Sequence, residues 1–183
     1  PQSDVEMFEF TIPQYIDKQP FSVYYMTFSG HCRYSPEHNK MSKKNFDKVA
    51  HLDTTDAVKS YLAANLELEY AMASMIAQLE EAGIADDTVI CMTSDHYPYG
   101  LSKSGLKELY GGTPENIFRR DHSAWILWCG SLENEEPIVV STPTTSLDIL
   151  PTLSNLFGTE FDSRLFPGRD VFSDAEAIAF NAN

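Results

Sequence analysis

The chain has 183 residues, 43% of them hydrophobic and 12% aromatic, enough to bury a real core as one compact unit. Thirteen Lys and Arg stand against 27 Asp and Glu, a formal net charge of −14, which argues against a nucleic-acid binder and against direct attraction to anionic headgroups. An anionic substrate would need a cation, or a few placed His and Arg side chains, to offset that field.

No run reaches the length of a membrane span, and Pro1-Gln2-Ser3-Asp4 lacks the charged and apolar parts of a signal peptide, so an anchor or export signal is expected outside these residues. Cys32, Cys91 and Cys129 are far apart and form no CxxC pair, which disfavours a zinc-thiolate site or a disulfide framework. Cys91 and Cys129 lie in apolar runs and are expected in the core.

In chain order, Pro20 to Phe28 is β-branched and aromatic and stops at Ser29-Gly30, which predicts a buried strand with His31 just past its carboxyl end. Residues 35–55 are polar and Lys-rich with no steady period and predict a long surface loop. From Asp56 to about Glu81, Val58, Tyr61, Asn65, Leu68, Met72, Met75 and Leu79 recur at steps of three and four, a helix that Gly83 would stop. Thr88 to Thr93 is a continuous apolar run typical of a strand covered on both faces. Strand, helix and strand then make a βαβ unit, with parallel pairing and a right-handed crossover. Ala124 to Cys129 predicts a third strand of the same sheet and Ile138 to Val140 a short one. A helix carries Leu147, Leu150, Leu153, Leu156 and Phe157; Pro151 should kink it unless the helix proper begins near Ile149. The tail from Phe161 is turn-rich, with a weak strand at Ala177 to Phe180.

The strongest chemical signal is Ser94-Asp95-His96-Tyr97-Pro98-Tyr99-Gly100, directly after a predicted parallel strand, where open α/β sheets bind ligands. A carboxylate beside an imidazole suits Mn²⁺, Zn²⁺ or Mg²⁺. The competing reading is an Asp that caps a turn beside a solvated His. Phe28-Ser29-Gly30-His31 repeats the order of strand, Ser, small or acidic residue, then His, so His31 and His96 would emerge on one rim and converge on an anion if their strands are neighbours. Asp121-His122 precedes the third strand at its amino end and is expected on the far side of the sheet, in a structural role, unless the turn folds back. His38 and His51 are expected in solvent, and Tyr97, Tyr99 and Tyr110 either line a pocket or, the blander account, serve as core or rim packing. There is no glycine-rich phosphate loop, GxSxG elbow or HExxH pair.

Taken together, Pro20-Phe21 through Gly30-His31, Tyr61 to Leu68, Ala85 to Ile90 running into Asp95-His96-Tyr97-Pro98-Tyr99-Gly100-Leu101, Ser146 to Leu153, Asn155 to Gly158 and Phe161 to Arg164 resemble the lipoteichoic acid synthase group, a sulfatase-like branch of the alkaline phosphatase superfamily. The resemblance runs from about residue 5 to 180. It implies an α/β fold: part of an alkaline phosphatase/sulfatase-like domain, its mostly parallel sheet flanked by helices. Residues 1–183 would be the carboxyl-terminal part of that catalytic domain, with the main sheet in about 1–130 and a small α+β closing portion in 131–183.

The resemblance further implies a metal-dependent phosphoglycerol transferase that acts on phosphatidylglycerol, with a glycolipid or polymer acceptor, on the outer face of a bacterial membrane. Asp95 and His96 match metal ligands, with Mn²⁺ foremost and Mg²⁺ or Zn²⁺ also suited. His31 matches a substrate-binding histidine. The family's nucleophilic Thr and first acidic ligand have no match here, since Thr11 and Thr27 do not fit that motif. The chain is thus expected to hold half a site and to be inactive alone. His31 also continues as Cys32-Arg33-Tyr34, where some members have an aromatic residue, Pro and Tyr. A sulfatase or phosphodiesterase of the same superfamily would keep Asp95 and His96 but need different partners elsewhere in the domain. The alternative from another class is a non-catalytic sulfatase-like module that recognises glycans or teichoic acid, against which the Asp-His pair with a third histidine on the same predicted rim argues.

Overall fold

The computed structural model describes residues 1–179. The chain divides into two compact units, Pro1–Asn134 and Glu135–Asn183. The first holds α1 (Asp4–Thr11), α2 (Lys40–Val49), α3 (Asp56–Glu81), β1 (Val89–Thr93), α4 (Lys103–Leu109), α5 (Ile117–Asp121) and β2 (Trp125–Cys129); the second holds α6 (Ile149–Leu156).

Helix α3 is the long helix its periodicity predicts, and Gly83 ends it at φ 68°, the left-handed conformation that glycine adopts without a Cβ penalty. Its buried stripe includes Ala71, Met75 and Leu79, which close on Phe8 and Ile12 from the start of the chain and on Ala85. Helices α1 and α2 are not among the elements the sequence predicts. Ser3 caps α1 by accepting from the Glu6 amide, and Asn39 caps α2 by accepting from the Met41 and Ser42 amides. Helix α2 thus replaces part of the predicted loop. It is pinned to α3 by polar contacts, with Ser42 Oγ donating to the Ser60 carbonyl and Lys44 Nζ reaching both Glu67 carboxylate oxygens at 3.0 Å.

The expected parallel sheet is not what the described residues show. Strands β1 and β2 pair antiparallel, Val89 with Cys129 through Thr93 with Trp125, in a two-stranded sheet. The sequence between them folds into α4 and α5 and brings β2 back alongside β1, while the expected βαβ unit of Phe21–Phe28, α3 and β1 lacks its strand pairing among the described residues. Phe21 to Phe28 is free of helix and turn but joins no ladder, and most of it is exposed, so the predicted buried strand is corrected to an unpaired extended segment. Cys91 is likewise exposed and Cys129 half-buried; all three cysteines are free.

In the second unit, Ile138 to Val140 is exposed and unpaired, against the strand expected there. Thr145 and Asp148 form a capping box, so the helical run begins at Ser146 and α6 proper at Ile149. Pro151 then falls in the first turn of α6, where no intrahelical amide is lost, and needs no kink. Buried Asp148 also accepts from the Arg169 amide. A side chain at Gly168 would collide with the Leu147 carbonyl, which makes glycine obligatory at that crossing. Ala177 to Ala179 is not a strand; Phe180, the end of that expectation, lies outside the described residues.

Candidate functional site

Two loops make the site, one after the extended segment and one after β1. The first is fixed from several sides. Asp4, fully buried at the start of α1, accepts the Phe28 and Ser29 amides, and Ser29 Oγ accepts the Asp4 amide in return. Asn39 Nδ2 donates to the Ser29 and His31 carbonyls. Gly30 passes so close to α3 that a Cβ there would lie 2.6 Å from Asn65 Oδ1. His31 therefore leaves the turn from a defined place, with its ring exposed and its Nδ1 3.6 Å from Cys32 Sγ.

The second loop meets the first at Gly100, where an added Cβ would lie 2.8 Å from Cys32 Cβ and 2.9 Å from the Tyr34 ring. That contact brings His31 and His96 to 6.3 Å between ring centroids. The His96 ring also lies 4.5 Å from that of Tyr99, and Tyr99 lies 6.3 Å from Tyr97, so two of the three tyrosines stand beside His96.

The Asp95–His96 geometry has a specific electrostatic consequence. His96 Nδ1 is 2.8 Å from the Tyr97 carbonyl oxygen, which only accepts, so Nδ1 carries the proton and Nε2 of the neutral ring is a lone pair. Nε2 faces Asp95 Oδ2 at 3.4 Å. Two acceptors so placed repel unless a proton or a cation stands between them. Ligands each ~2.1 Å from one divalent ion stand about this far apart. The pair therefore fits as part of a metal's donor set. Among the described residues, no group of three His, Cys, Asp or Glu side chains converges on one ion position.

Two features of the rim were not legible in the sequence. Tyr34 packs edge-on against Tyr61, with ring centroids 5.1 Å apart. Its burial, then the neighbouring Tyr61, Cys32, Tyr99 and Asp95, push its phenol up to about 12, so it remains an O–H donor beside the site. The other feature is Asp121-His122. Because β2 runs antiparallel to β1, the start of β2 lies beside the end of β1, and Thr93 pairs with Trp125. His122 is therefore on the same rim as His96, which corrects the far-side expectation that rested on parallel pairing. Arg120 stacks 4.3 Å above the Tyr97 ring and grips Asp121 through two hydrogen bonds of 2.6 and 3.0 Å. Those bonds from Arg120 hold the Asp121 carboxyl below its usual range. Next to this pair a crevice of about 220 Å³ is lined by Tyr110, Thr113, Arg119 and His122 among others. His38 and His51 are exposed as expected, though His38 Nδ1 does have a partner, Ser35 Oγ, at 2.9 Å.

Comparison with known proteins follows the same lines. The sulfatase family model matches residues 1–159. A lipoteichoic acid synthase of Staphylococcus saprophyticus is 26% identical over 162 residues, covering 86% of this chain and 24% of the relative. Lipoteichoic acid synthase 1 of Bacillus subtilis is 25% identical over 167 residues, 85% of this chain and 24% of the relative. A steryl-sulfatase of Rattus norvegicus is 28% identical over 115 residues, 57% of this chain and 20% of the relative. The chain thus spans about a quarter of the length of these curated relatives. With the family model covering most of its residues, the chain belongs to the sulfatase family.

Proposed function

We propose that residues 1–183 are the carboxyl-terminal part of an extracytoplasmic, metal-dependent phosphoglycerol transferase that acts on phosphatidylglycerol in the synthesis of a glycerophosphate polymer. The observation that carries this reading is the convergence of Asp95, His96 and His31 on one rim. The reach of the similarity supports the choice of chemistry. The two lipoteichoic acid synthases align over 85–86% of the chain, against 57% for the steryl-sulfatase.

Asp95 and His96 Nε2 would hold a divalent metal, Mn²⁺ in first place, which when bound lowers a nucleophile's pKa and offsets charge on phosphoryl oxygens. The chain's own residues do the rest of what this half of the site offers. The Tyr97 carbonyl fixes the His96 tautomer, so that Nε2 and not Nδ1 is presented. His31, held by the Asp4 and Asn39 contacts, presents its ring where it can donate to a phosphoglycerol oxygen. Tyr34, kept protonated, adds a second donor beside Asp95. The family's nucleophilic Thr has no match among residues 1–183. No helix among the described residues is long and apolar enough to cross a membrane.

The test uses the longer protein that carries these residues, supplied with phosphatidylglycerol and Mn²⁺. Diacylglycerol release is expected, with Asp95→Ala reducing it to background along with Mn²⁺ binding, and His31→Ala weakening turnover while sparing the metal. The runner-up is a sulfatase, favoured by the 28% identity to the steryl-sulfatase. Hydrolysis of a sulfate ester without diacylglycerol release would decide for it. Metal binding and turnover unaltered in Asp95→Ala would remove the metal assignment and favour a glycan-binding module.

A further inference from the structure

The consecutive helices α4 and α5 sort their charges by face. Lys103, Leu106 and Lys107 recur at steps of three and four on α4, and Ile117 and Arg120 stand three apart on α5, so each set shares one side of its helix. Both sides line a groove of about 560 Å³, walled by Leu106, Pro114 and Ile117 and by Lys103, Lys107 and Arg120. Acidic side chains of the same segment are engaged elsewhere. Glu108 accepts the Thr55 amide and hydroxyl, both at 2.6 Å, and Asp121 is held by Arg120. Lys103, Lys107 and Arg119 are exposed and make no ion pair among the described residues, which leaves them against Glu115 alone.

Apolar side chains stand open beside these cations: Ile117 is 40% and Phe118 52% exposed. Helix α2 is also rich in lysine, with Lys40, Lys43, Lys44 and Lys48, but none of its large apolar side chains is exposed, as on an ordinary solvated face. Cations interleaved with exposed apolar groups are instead the pattern of segments that lie in a membrane interface. The apolar side chains enter the acyl boundary, and Lys and Arg reach headgroup phosphates along their own apolar stems. The net charge of −14 disfavours anionic headgroups over the surface as a whole. It does not decide at this face, because exposed charges more than about 8 Å away are largely screened at physiological salt.

We infer that the α4–α5 face is a docking surface for an anionic lipid bilayer, with Lys103, Lys107 and Arg119 on headgroup phosphates and Ile117 and Phe118 in the interface. Its position relates it to the candidate site. Arg120, from the groove, stacks on Tyr97, and the Tyr97 carbonyl holds His96 Nδ1. Docking therefore sets the rim of His31 and His96 beside the lipid surface, where a phospholipid headgroup is met with its acyl chains still in the bilayer. That use of the surface rests on the phosphoglycerol-transfer reading; the docking itself rests on charge and exposure alone.

The 183-residue chain is sedimented with vesicles of phosphatidylcholine, with and without phosphatidylserine, an anionic lipid that has no glycerol headgroup to donate. Binding is expected only where phosphatidylserine is present, and it should weaken as salt is raised. Lys103→Gln with Lys107→Gln should weaken it about 25-fold, about fivefold per cation. Phe118→Ser should weaken it as well, with the circular dichroism of each variant unchanged because these side chains are exposed. Lys43→Gln with Lys48→Gln on α2, the same change of charge outside the groove, should leave binding unaltered. No binding to the phosphatidylserine vesicles would overturn the proposal. So would an equal loss in the α2 variant, which would mean general charge attraction, or salt-independent binding to phosphatidylcholine alone. Vesicle binding that follows these variants, in a protein whose longer form releases no diacylglycerol from phosphatidylglycerol, would uphold the docking surface and remove the transfer reading.

Discussion

His31 and His96, 65 residues apart in the chain, stand with their rings 6.3 Å apart and nearly perpendicular, at 74°. Neither ring is buried, so packing around the rings does not hold them there. The juxtaposition comes from the backbone beneath: Gly30 against Asn65, and Gly100 against Cys32 and Tyr34.

Gly100→Ala should therefore open the site. Its Cβ would lie 2.8 Å from Cys32 Cβ, so one loop must retreat by several tenths of an ångström. We expect a stability loss of about 1–3 kcal/mol. In the longer protein, activity should fall by more than that loss explains. Urea unfolding alongside turnover measures both; full activity would show that the close contact does not set the His31–His96 distance.

Asp4 is the buried anchor of the His31 turn. Asp4→Ala strands the Phe28 and Ser29 amides and should cost about 2–3 kcal/mol. Asp4→Asn, which keeps an acceptor, should recover part of the loss. Chemical denaturation of the three proteins tests the ranking.

Glu67 makes stability depend on pH. Burial alone would raise its carboxyl, but hydrogen bonds from Ser3, Lys44 and Asn45 and the Lys44 charge more than offset that, and the carboxyl titrates below its ordinary range. A carboxyl depressed in the folded state contributes stability that is full above its unfolded pKa, ~4.3, and lost as pH falls through the folded value. The urea midpoint should therefore drop between pH 5 and pH 3, and drop less in Glu67→Gln. Lys44→Ala should cost about 3 kcal/mol at pH 7, because the carboxylate it leaves is fully buried. A variant within a few tenths of a kcal/mol of wild type would show that Asn45 and Ser3 suffice.

In the second unit, Asp148 serves Thr145 and Arg169 with different carboxylate oxygens. Asp148→Ala should cost about 2 kcal/mol, above the usual loss of a single cap, because the Arg169 amide is released as well. Thr145→Ala should cost about 1 kcal/mol. Unfolding followed by circular dichroism would compare them; equal losses would mean that the Arg169 contact contributes nothing.

The sequence by itself determined whatever is local. Helix α3 is written in a 26-residue apolar period and a terminal glycine, and the Asp95-His96 pair in a motif that follows an apolar run. Because those residues are neighbours in the chain, no long-range contact is needed to bring them together. The helices α1 and α2 were not visible, because their order rests on single capping side chains, Ser3 and Asn39, and on burial against α3. Only the tertiary structure decided strand direction. An apolar run such as Trp125 to Cys129 reads the same whether its neighbour is parallel or antiparallel, and the return path through α4 and α5 settled it. That choice moved His122 from the far side of the sheet to the rim of His96. Phe21–Phe28, which reads as a strand, is without a ladder partner among the described residues, since a strand is defined by its neighbour's hydrogen bonds and no local sequence supplies them.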